Sequence, residues 1–286
     1  MLGTGTEFGQ IDPHTRRPTQ RPAMKLSLCT TCMGRAHHLK ETLPSNLAAS
    51  VNWDRPDAVE FVILDYTSPD DLAEWITTDP RLKPYLEAGI LKFARCEGQP
   101  YFRHSHAKNM AHALATGDVV CNLDADNFVG VGFTDYLRTV FTRHPNAIVA
   151  SNRLDSRLNV GVHKGCMGRV ALSKTNFAML GGYDESDRFR GWAGEDSDLV
   201  IRGVKKFLRP VLIRDRRFLQ VVQHSDLERI KLTEFVDATA EIAKIESLDG
   251  SNMRPVLRYV MNRAVAPRVA NRGVLIGAGP VRLQDF

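Results

Sequence analysis

Two carboxylates separated by one residue, Asp124 and Asp126, directly follow an apolar segment near the middle of the chain. That segment, residues 118–123, predicts a short buried strand, so we expect both side chains at its carboxyl end. Mg²⁺ and Mn²⁺ are commonly bound by one or two carboxylates together with phosphate oxygens of a substrate. The pair therefore indicates a site for Mn²⁺ or Mg²⁺ that binds a diphosphate. The simpler alternative is a turn with two solvated acids.

A second group of reactive side chains is the sequence GWAGEDSD at residues 191–198. Acidic residues are favoured at a helix N-terminus, which explains part of this pattern without any chemistry. Three acids and an indole between two glycines exceed what a helix start requires. Trp192 could stack on a sugar ring while Glu195 or Asp196 accepts a proton from a hydroxyl. Because a helix N-terminus lowers the pKa of a carboxylate, a general base here needs burial beside Trp192 to raise it.

Nitrogen-bearing side chains occur at two further places. His224 ends the apolar segment 221–223 and could supply a nitrogen ligand to the metal, although a single histidine is more often structural. Lys108 and Asn109 lie near the start of a helix predicted over 106–116, where backbone N–H groups and cations both suit a phosphate. The alternative for this second place is an ordinary basic helix start.

The elements that position these residues alternate between strands and helices. Four short apolar segments predict strands with helix-length connections: residues 25–30, 59–64, 90–94 and 118–123. This order predicts an α/β fold with a mostly parallel central sheet flanked by helices. Ligands of such sheets bind at the carboxyl ends of the strands. The chain places these polar residues there: Thr30, Thr31, Arg35, Asp65, Asp124 and Asp126.

Composition and missing motifs exclude several classes of protein. The chain is 43% hydrophobic and 25% charged, which are globular values. It has no apolar run of the ~20 residues that a membrane span needs. It also has no G-x-G-x-x-G after the first strand, no P-loop and no G-x-S-x-G motif, which disfavours dinucleotide-binding proteins, P-loop NTPases and serine hydrolases. One C-x-x-C pair, Cys29 and Cys32, leaves a thioredoxin-like redox function as a minor alternative.

Five segments in this order resemble the GT-A glycosyltransferases. They are CTTCMGRAHHLKETL, VILDYTSPDD, AKNMAHALATGDVVCNLDAD, LSKTNFAMLGGYDE and GWAGEDSDLVIR. The pattern is similar to the family-2 enzymes, and GWAGED is similar to the GWGGED box of the β-1,4-galactosyltransferase group. The resemblance covers roughly residues 25–225. It implies a GT-A fold, a nucleotide-diphospho-sugar donor and a divalent metal ion, Mn²⁺ or Mg²⁺.

The resemblance also implies a role for each residue that matches the family's motifs. The nucleotide sugar would be bound by residues at the ends of the first two strands, at one helix start and in the D-x-D motif, which is the pair Asp124 and Asp126. These residues are Thr30, Thr31, Arg35, Asp65, Lys108, Asn109 and Asp124. Thr31 and Asp65 would contact the nucleobase and ribose, and Lys108 the base or a phosphate. The metal would be held by Asp126 together with Asp124 and a late histidine, His224.

Catalysis and acceptor binding are implied for the GWAGED box. Asp196 corresponds to the family's catalytic base, and Glu195 beside it would contact the acceptor together with Trp192. The chain departs from the family where Tyr66 replaces the second acid of the D-D-G-S motif and Thr30 replaces a proline. These departures concern the identity of the donor more than the fold.

These observations predict a metal-dependent glycosyltransferase of the hexosyltransferase type. It would move a sugar from a nucleotide-diphospho sugar, expected to be UDP-linked, to a hydroxyl of a glycan, a lipid-linked acceptor or another acceptor. Asp196 would take the hydroxyl proton, and the anomeric carbon would be inverted, with retention of its configuration as the alternative. The alternatives are a nucleotidyltransferase and a catalytically inactive scaffold that binds a nucleotide or glycan. No nucleic-acid partner is expected.

Three regions are expected along the chain. Residues 1–23 have no periodicity and predict a flexible leader, without the apolar core of a secretory signal. Residues 24–228 predict the GT-A catalytic domain, with a nucleotide-binding half (24–127) and an acceptor-binding half (128–228). Residues 229–286 predict a helical, basic C-terminal extension.

The end of this extension is strongly basic. Residues 251–286 contain six arginines and one acidic residue, whereas the whole chain has a net charge of +5. Such a tail is suited to an anionic membrane surface or an acidic partner, and a solvated terminal segment is the simpler alternative. We therefore expect a cytoplasmic protein that can bind peripherally at the inner membrane face.

Overall fold

A mixed eight-stranded sheet flanked by helices forms the centre of the protein in the computed structural model. The structure describes residues 24–151, 165–186, 189, 191–192, 194–225, 228–229, 231–234 and 281–283. The strands are β1 (Leu26–Cys32), β2 (Val59–Tyr66), β3 (Leu91–Cys96), β4 (Val119–Asn122), β5 (Asn127–Phe128), β6 (Ala147–Ala150), β7 (Val170–Ser173), β8 (Arg209–Leu212), β9 (Gln220–Val221) and β10 (Val281–Leu283). The α-helices are α1 (Ala36–Ser50), α2 (Leu72–Thr78), α3 (Lys83–Glu87), α4 (His104–Leu114), α5 (Phe133–Arg143), α6 (Lys174–Met179) and α7 (Glu195–Lys205).

The strand order across the large sheet is β10-β3-β2-β1-β4-β7-β6-β8. Strand β1 pairs in parallel with β2 and β4, β2 pairs in parallel with β3, and β6 with β8. Strand β7 is antiparallel to β4 and β6, and β10 is antiparallel to β3. Helical crossovers between the first four strands explain their parallel pairing. The predicted α/β fold with a mostly parallel sheet is confirmed.

The first strand extends two residues further than its apolar pattern indicates. Its predicted bounds are residues 25–30, whereas β1 ends at Cys32, which pairs with Asp65 of β2. The pairing with β2 continues past the apolar residues, so Thr30 and Thr31 belong to the strand and are buried. Only the end of β1 therefore reaches the carboxyl edge of the sheet.

Apolar side chains pack on both faces of the sheet. On β2, Phe61 lies in one core cluster and Val62 lies in the other. Burial on both faces explains why this strand is a continuous apolar run instead of an alternating one. Cys32 packs in the first cluster and Cys29 in the second, and both are buried. Because the two thiols pack in separate clusters, the redox interpretation of the C-x-x-C pair is wrong.

A small antiparallel sheet of β5 and β9 brings a late part of the chain to the D-x-D motif. Asn127 pairs with Val221, and the backbone N–H of Val222 donates to the carbonyl of Asp126 at 2.8 Å. His224 follows two residues later. This pairing therefore places a histidine beside an aspartate that is 98 residues earlier in the chain.

The ends of the chain are described only in part. Residues 281–283, within the extension expected to be helical, form the edge strand β10. The predicted leader, residues 1–23, lies outside the described residues, as does most of the remaining extension. Among the helices that the structure describes, none is both long and apolar enough to span a bilayer.

A buried carboxylate ties together the amino ends of the parallel strands. Glu60 on β2 is fully buried, and its carboxylate lies 2.9 Å from the ammonium of Lys25 and 2.8 Å from that of Lys92. It also accepts hydrogen bonds from the Ser27 hydroxyl at 2.6 Å and from Thr116. Burial alone would raise the pKa of Glu60, but these partners hold it below the usual range of a glutamate.

We expect Glu60→Gln to lower the free energy of unfolding by about 2–4 kcal/mol at pH 7, because two ammonium groups lose their counter-charge. Since the folded-state pKa is depressed, this contribution is present above the pKa of the unfolded carboxyl and is lost as the pH falls. The difference from wild type in urea denaturation should therefore shrink below about pH 4. Glu41→Gln on the exposed face of α1 is the matched control. Equal effects of the two variants would contradict this account.

Candidate active site

A cavity of about 240 Å³ lies at the carboxyl ends of β1 and β4. One water molecule needs only about 10–15 Å³, so the cavity has room for a larger ligand. Nine residues singled out from the sequence line it: Thr31, Arg35, Lys108, Asp124, Asp126, Trp192, Glu195, Asp196 and His224. Motifs that are distant in sequence therefore meet at the edge where ligands of parallel sheets bind.

Three predicted donor-binding residues do not line this cavity. Thr30 is buried within β1. Asp65 is fully buried, accepts a backbone N–H at 2.6 Å and lies 2.8 Å from the guanidinium of Arg95. The Asn109 side chain donates to the backbone carbonyl of Tyr183 at 2.9 Å and accepts the backbone N–H of the same residue at 2.8 Å. The side chains of Asp65 and Asn109 bind neighbouring segments, and contact of all three residues with a donor stays a prediction.

The predicted metal ligands lie just after β4 and just after β9. Oδ2 of Asp126 is 2.8 Å from Nε2 of His224. Ligands at right angles around a divalent ion, with metal–ligand distances of about 2.1 Å, are about 3.0 Å apart. The two atoms thus have the spacing of neighbours in one coordination shell. Asp124 lines the same cavity, and two carboxylates with one imidazole are donors that suit Mn²⁺ or Mg²⁺. Among the described residues, the ligand atoms of Asp124, Asp126 and His224 do not all lie within 4.8 Å of one another, so binding of the ion by all three stays a prediction.

The charges around the D-x-D motif favour a cation at this place. Burial would raise the pKa of Asp126, but the hydrogen bond with His224 and the charge of Arg35 hold it below its usual range. Burial raises the pKa of Asp124, and Lys108, whose Nζ is 4.0 Å away, offsets this only in part. A divalent ion would stabilise both carboxylates in their charged form.

The buried ammonium of Lys108 joins the two acids that open α7. Its Nζ is 2.7 Å from Oε1 of Glu195, and 2.8 and 2.9 Å from the two carboxylate oxygens of Asp196. The helix begins directly after Gly194, whose φ of 101° is the left-handed conformation that glycine adopts without strain. Lys108 is paired with acids in this structure, so its contact with a donor phosphate stays a prediction.

The two acids of this box differ in their pKa and in their access to the cavity. Burial would raise the pKa of Glu195, but Lys108 lowers it to about 2. Burial raises the pKa of Asp196 well above its usual range, and the neighbouring charge of Glu195 adds to this. The Asp196 side chain is 15% exposed, against 4% for Glu195. Burial therefore outweighs the helix terminus, and pKa values pushed apart are typical of an acid–base site.

Gly168 packs directly against the D-x-D motif. A Cβ at this position would lie 2.2 Å from the carboxylate of Asp124. The side-chain amide of Asn122 donates both to Asp124 at 3.0 Å and to the carbonyl of Gly168 at 2.8 Å. The absence of a side chain at position 168 therefore lets the turn before β7 pack against the carboxylate of Asp124.

We expect Gly168→Ala to displace the Asp124 carboxylate and to weaken Mn²⁺-dependent nucleotide binding by about 10–100-fold, the loss seen when the support of a metal ligand is disturbed. Isothermal titration calorimetry with UDP and Mn²⁺ measures this. The control is Gly98→Ala, where a Cβ meets nothing within 4 Å although φ is +77°. Unchanged binding in Gly168→Ala would show that Asp124 does not bind the metal.

Four further residues around the cavity were missed by sequence reasoning: Phe102, His104, Met167 and Arg229. His104 begins α4, four residues before Lys108, and no local pattern distinguishes it from the other histidines. Burial lowers its pKa to about 4, so it is neutral near Glu195. The guanidinium of Arg229 lies 5.6 Å from the ring centroid of Trp192, a contact that no local pattern reveals.

Comparisons with known proteins relate the chain to glycosyltransferases. A family model described as the N-terminal domain of galactosyltransferase matches residues 149–233, which include the GWAGED box and His224. No curated protein sequence matches the chain. The mannosyltransferase PcManGT from Pyrobaculum calidifontis, solved with GDP-Man and Mn²⁺, superposes with a TM-score of 0.52 at 19% identity, over 71% of this chain and 59% of that one.

A second solved structure agrees. TarS 1–349 from S. aureus superposes with a TM-score of 0.51 at 14% identity, over 67% of this chain and 58% of that one. The chain has the GT-A glycosyltransferase fold. It spans less than two thirds of the length of either protein. The family model and these structures together support a glycosyltransferase, while the resemblance to family 2 and to the GWGGED box stays a prediction.

Proposed function

We propose that this protein transfers a sugar from a nucleotide-diphospho sugar to an acceptor hydroxyl, in a metal-dependent and inverting reaction. The observation that carries the proposal is that the D-x-D motif, His224 and the Glu195–Asp196 pair line one cavity. The GT-A fold supports it, because related folds have been solved with GDP-Man and Mn²⁺ in PcManGT and with UDP-GlcNAc in TarS. A UDP-linked sugar remains our expectation for the donor.

Donor binding would involve both the metal ligands and a basic side chain of the cavity. Asp126, His224 and Asp124 would hold Mn²⁺ or Mg²⁺, and the ion would neutralise the charge that develops on the departing diphosphate. Arg35 lines the same cavity and would add a fixed positive charge near those phosphates. Thr31, at the end of β1, lies where a nucleobase or ribose hydroxyl can be contacted.

Acceptor activation would take place at the start of α7. Trp192 offers a flat apolar surface for a sugar ring, and Glu195 would orient the acceptor hydroxyl. Asp196 would accept the hydroxyl proton while the oxygen attacks the anomeric carbon from the face opposite the nucleotide. Lys108 donates to both oxygens of Asp196 and so fixes the direction of its carboxylate. Attack from the opposite face inverts the anomeric configuration.

The pKa difference within the box predicts how activity depends on pH. Because the pKa of Asp196 is raised, we expect the base to be lost as the pH falls, with an acid limb in kcat/KM above the usual aspartate range of about 4. With Glu195 as base, whose pKa is about 2, activity would persist to much lower pH. The profile of kcat/KM against pH is measured at two saturating Mn²⁺ concentrations. Competition between protons and the metal would shift the acid limb with the Mn²⁺ concentration, whereas protonation of Asp196 would not. A flat profile down to pH 4 would contradict the assignment.

Thermal-shift measurement tests donor binding before the acceptor is known. The melting temperature would be measured with Mn²⁺ against a panel of nucleoside diphosphates and nucleotide sugars. A ligand that binds only the folded state raises apparent stability by RT ln(1 + [L]/Kd), so the tightest nucleotide gives the largest shift. We expect a shift for uridine nucleotides that disappears in EDTA. Equal shifts for all nucleotides, with or without metal, would contradict a specific metal-dependent donor site.

The cavity lining bears on the acceptor, and the basic tail bears on the cellular location. A hydroxyl of a glycan, a lipid-linked sugar or another acceptor fits the aromatic and acidic lining beside Trp192. The basic tail at residues 251–286 lies outside the described residues except for β10. A cytoplasmic location and peripheral binding to an anionic membrane therefore stay predictions.

A further inference from the structure

A second cluster of metal-ligating side chains lies behind the candidate active site, at the start of α1. It consists of His37, His38 and Glu228, and one ligand atom from each lies within 4.8 Å of the others. Oε2 of Glu228 is 2.8 Å from Nε2 of His38 and 3.6 Å from Nε2 of His37. Two residues from α1 thus meet one that follows β9, about 190 positions later.

Two of the three separations in this cluster are close to those around a tetrahedral ion, and the third, between the two imidazoles, is within 4.8 Å. Around Zn²⁺, nitrogen and oxygen ligands at about 2.0–2.1 Å are about 3.3 Å apart. The separations of 2.8 and 3.6 Å lie on either side of that value. The His37 side chain is 60% exposed and that of Glu228 is 37% exposed, so both can adjust by small rotations while the buried His38 stays in place.

We propose that His37, His38 and Glu228 form a second metal site that binds Zn²⁺ or a similar ion with a preference for imidazole. Two imidazoles and one carboxylate form a nitrogen-rich set, whereas the D-x-D site is oxygen-rich and suits Mn²⁺ or Mg²⁺. Three protein ligands leave a fourth position for water or an anion. His37 and Glu228 line a neighbouring cavity of about 140 Å³, which shares Arg35 and Arg229 with the larger one and provides space for that ligand.

The charges around this cavity indicate which fourth ligand the ion would take. Three basic residues line it together with the proposed ligands: Arg35, Arg229 and Lys231. Positive neighbours disfavour a bare divalent ion but favour one that carries an anion such as hydroxide or phosphate. The titration is therefore done both with and without inorganic phosphate.

The second site would fix the segment that carries His224. Oε2 of Glu228 is 3.9 Å from Nδ1 of His224, and the rings of His38 and His224 have centroids 4.9 Å apart. The guanidinium of Arg35 also donates to the backbone carbonyl of Glu228 at 2.5 Å. An ion bound by His37, His38 and Glu228 would tie this segment to α1, and would thereby hold His224 beside Asp126.

The test uses the untagged full-length chain with metal, in the absence and in the presence of inorganic phosphate. Asp126→Asn first disables the D-x-D site, and Zn²⁺ affinity is then measured by competition with a chromophoric chelator. Co²⁺ absorption in the visible range reports tetrahedral coordination. In this background we expect one remaining Zn²⁺ site with a tetrahedral Co²⁺ spectrum. Adding His37→Ala or Glu228→Gln should weaken Zn²⁺ binding at least about tenfold and remove that spectrum.

The test has a matched control, and three results would contradict the proposal. His144→Ala removes a histidine outside the cluster and should leave Zn²⁺ binding unchanged. Absence of Zn²⁺ binding in Asp126→Asn, or equal affinity with and without His37 and Glu228, would overturn the proposal. An effect of His144→Ala as large as that of His37→Ala would do the same. Since no nucleotide sugar is present, these results are independent of the proposed transfer activity.

Discussion

Asp196→Asn is expected to lower the rate of sugar transfer by about 10²–10⁴-fold, the usual effect of losing a general base. The amide keeps the size of the side chain and can still accept a hydrogen bond from Lys108, but it cannot take the proton of the acceptor hydroxyl. Because Asp196 faces the acceptor in this account, the affinity for UDP should stay nearly unchanged. Steady-state kinetics at saturating donor, together with calorimetric titration of UDP, measure the two effects separately.

Glu195→Gln is the matched variant, since it removes the neighbouring acid from the same helix start. We expect it to raise the acceptor KM with a smaller effect on kcat, because Glu195 orients the acceptor and does not take its proton. Near wild-type transfer by Asp196→Asn combined with an inactive Glu195→Gln would mean that the two roles are exchanged. Activity in both variants would mean that the acids only stabilise the start of α7.

Asp126→Asn is expected to weaken Mn²⁺-dependent nucleotide binding by at least about 100-fold, because it removes the charge of a direct ligand. The amide is nearly isosteric, which matters because Asp126 is only 4% exposed and touches His224. Alanine at position 126 would leave a buried gap. It would be a harmless substitution only if Asp126 lay in an exposed turn. Calorimetric titration of UDP at fixed Mn²⁺ measures the loss.

Asp135→Asn on α5 is the control for this second result, since its side chain is 81% exposed and lies on another helix. It should bind nucleotide as the wild type does. Full transfer activity of the wild-type protein in excess EDTA would exclude the metal-dependent account, whatever the effect of Asp126→Asn.

The early strands could be predicted from local patterns of apolar residues. The position of the motifs at one edge of the sheet could be predicted from the order of these strands. Apolar runs such as residues 59–64 identify buried strands, and parallel strands present their carboxyl ends at one edge. That edge is where Asp124, Asp126 and the GWAGED box lie. The antiparallel strand β7 was not predicted, since its place between β4 and β6 depends on pairing with distant segments.

The partners of individual side chains could not be predicted for the same reason. Lys108 pairs with Glu195, 87 residues later, and no periodicity links the two. From the sequence, two opposite effects on the pKa of Asp196 are expected: the helix terminus lowers it and burial raises it. Only the structure shows that burial and the charge of Glu195 prevail. The contact of His38 with Glu228 likewise joins segments that no motif connects.

The most direct test of the central claim is the release of nucleoside diphosphate from a panel of nucleotide sugars, with Mn²⁺ and candidate hydroxyl acceptors. We expect the wild type to release the diphosphate from at least one donor. We also expect EDTA to abolish the release and Asp196→Asn to lower it at least about 100-fold. Tight donor binding without any release would instead indicate an inactive scaffold. Release of pyrophosphate from a nucleoside triphosphate and a sugar phosphate would indicate a nucleotidyltransferase, and either result would contradict the proposed function.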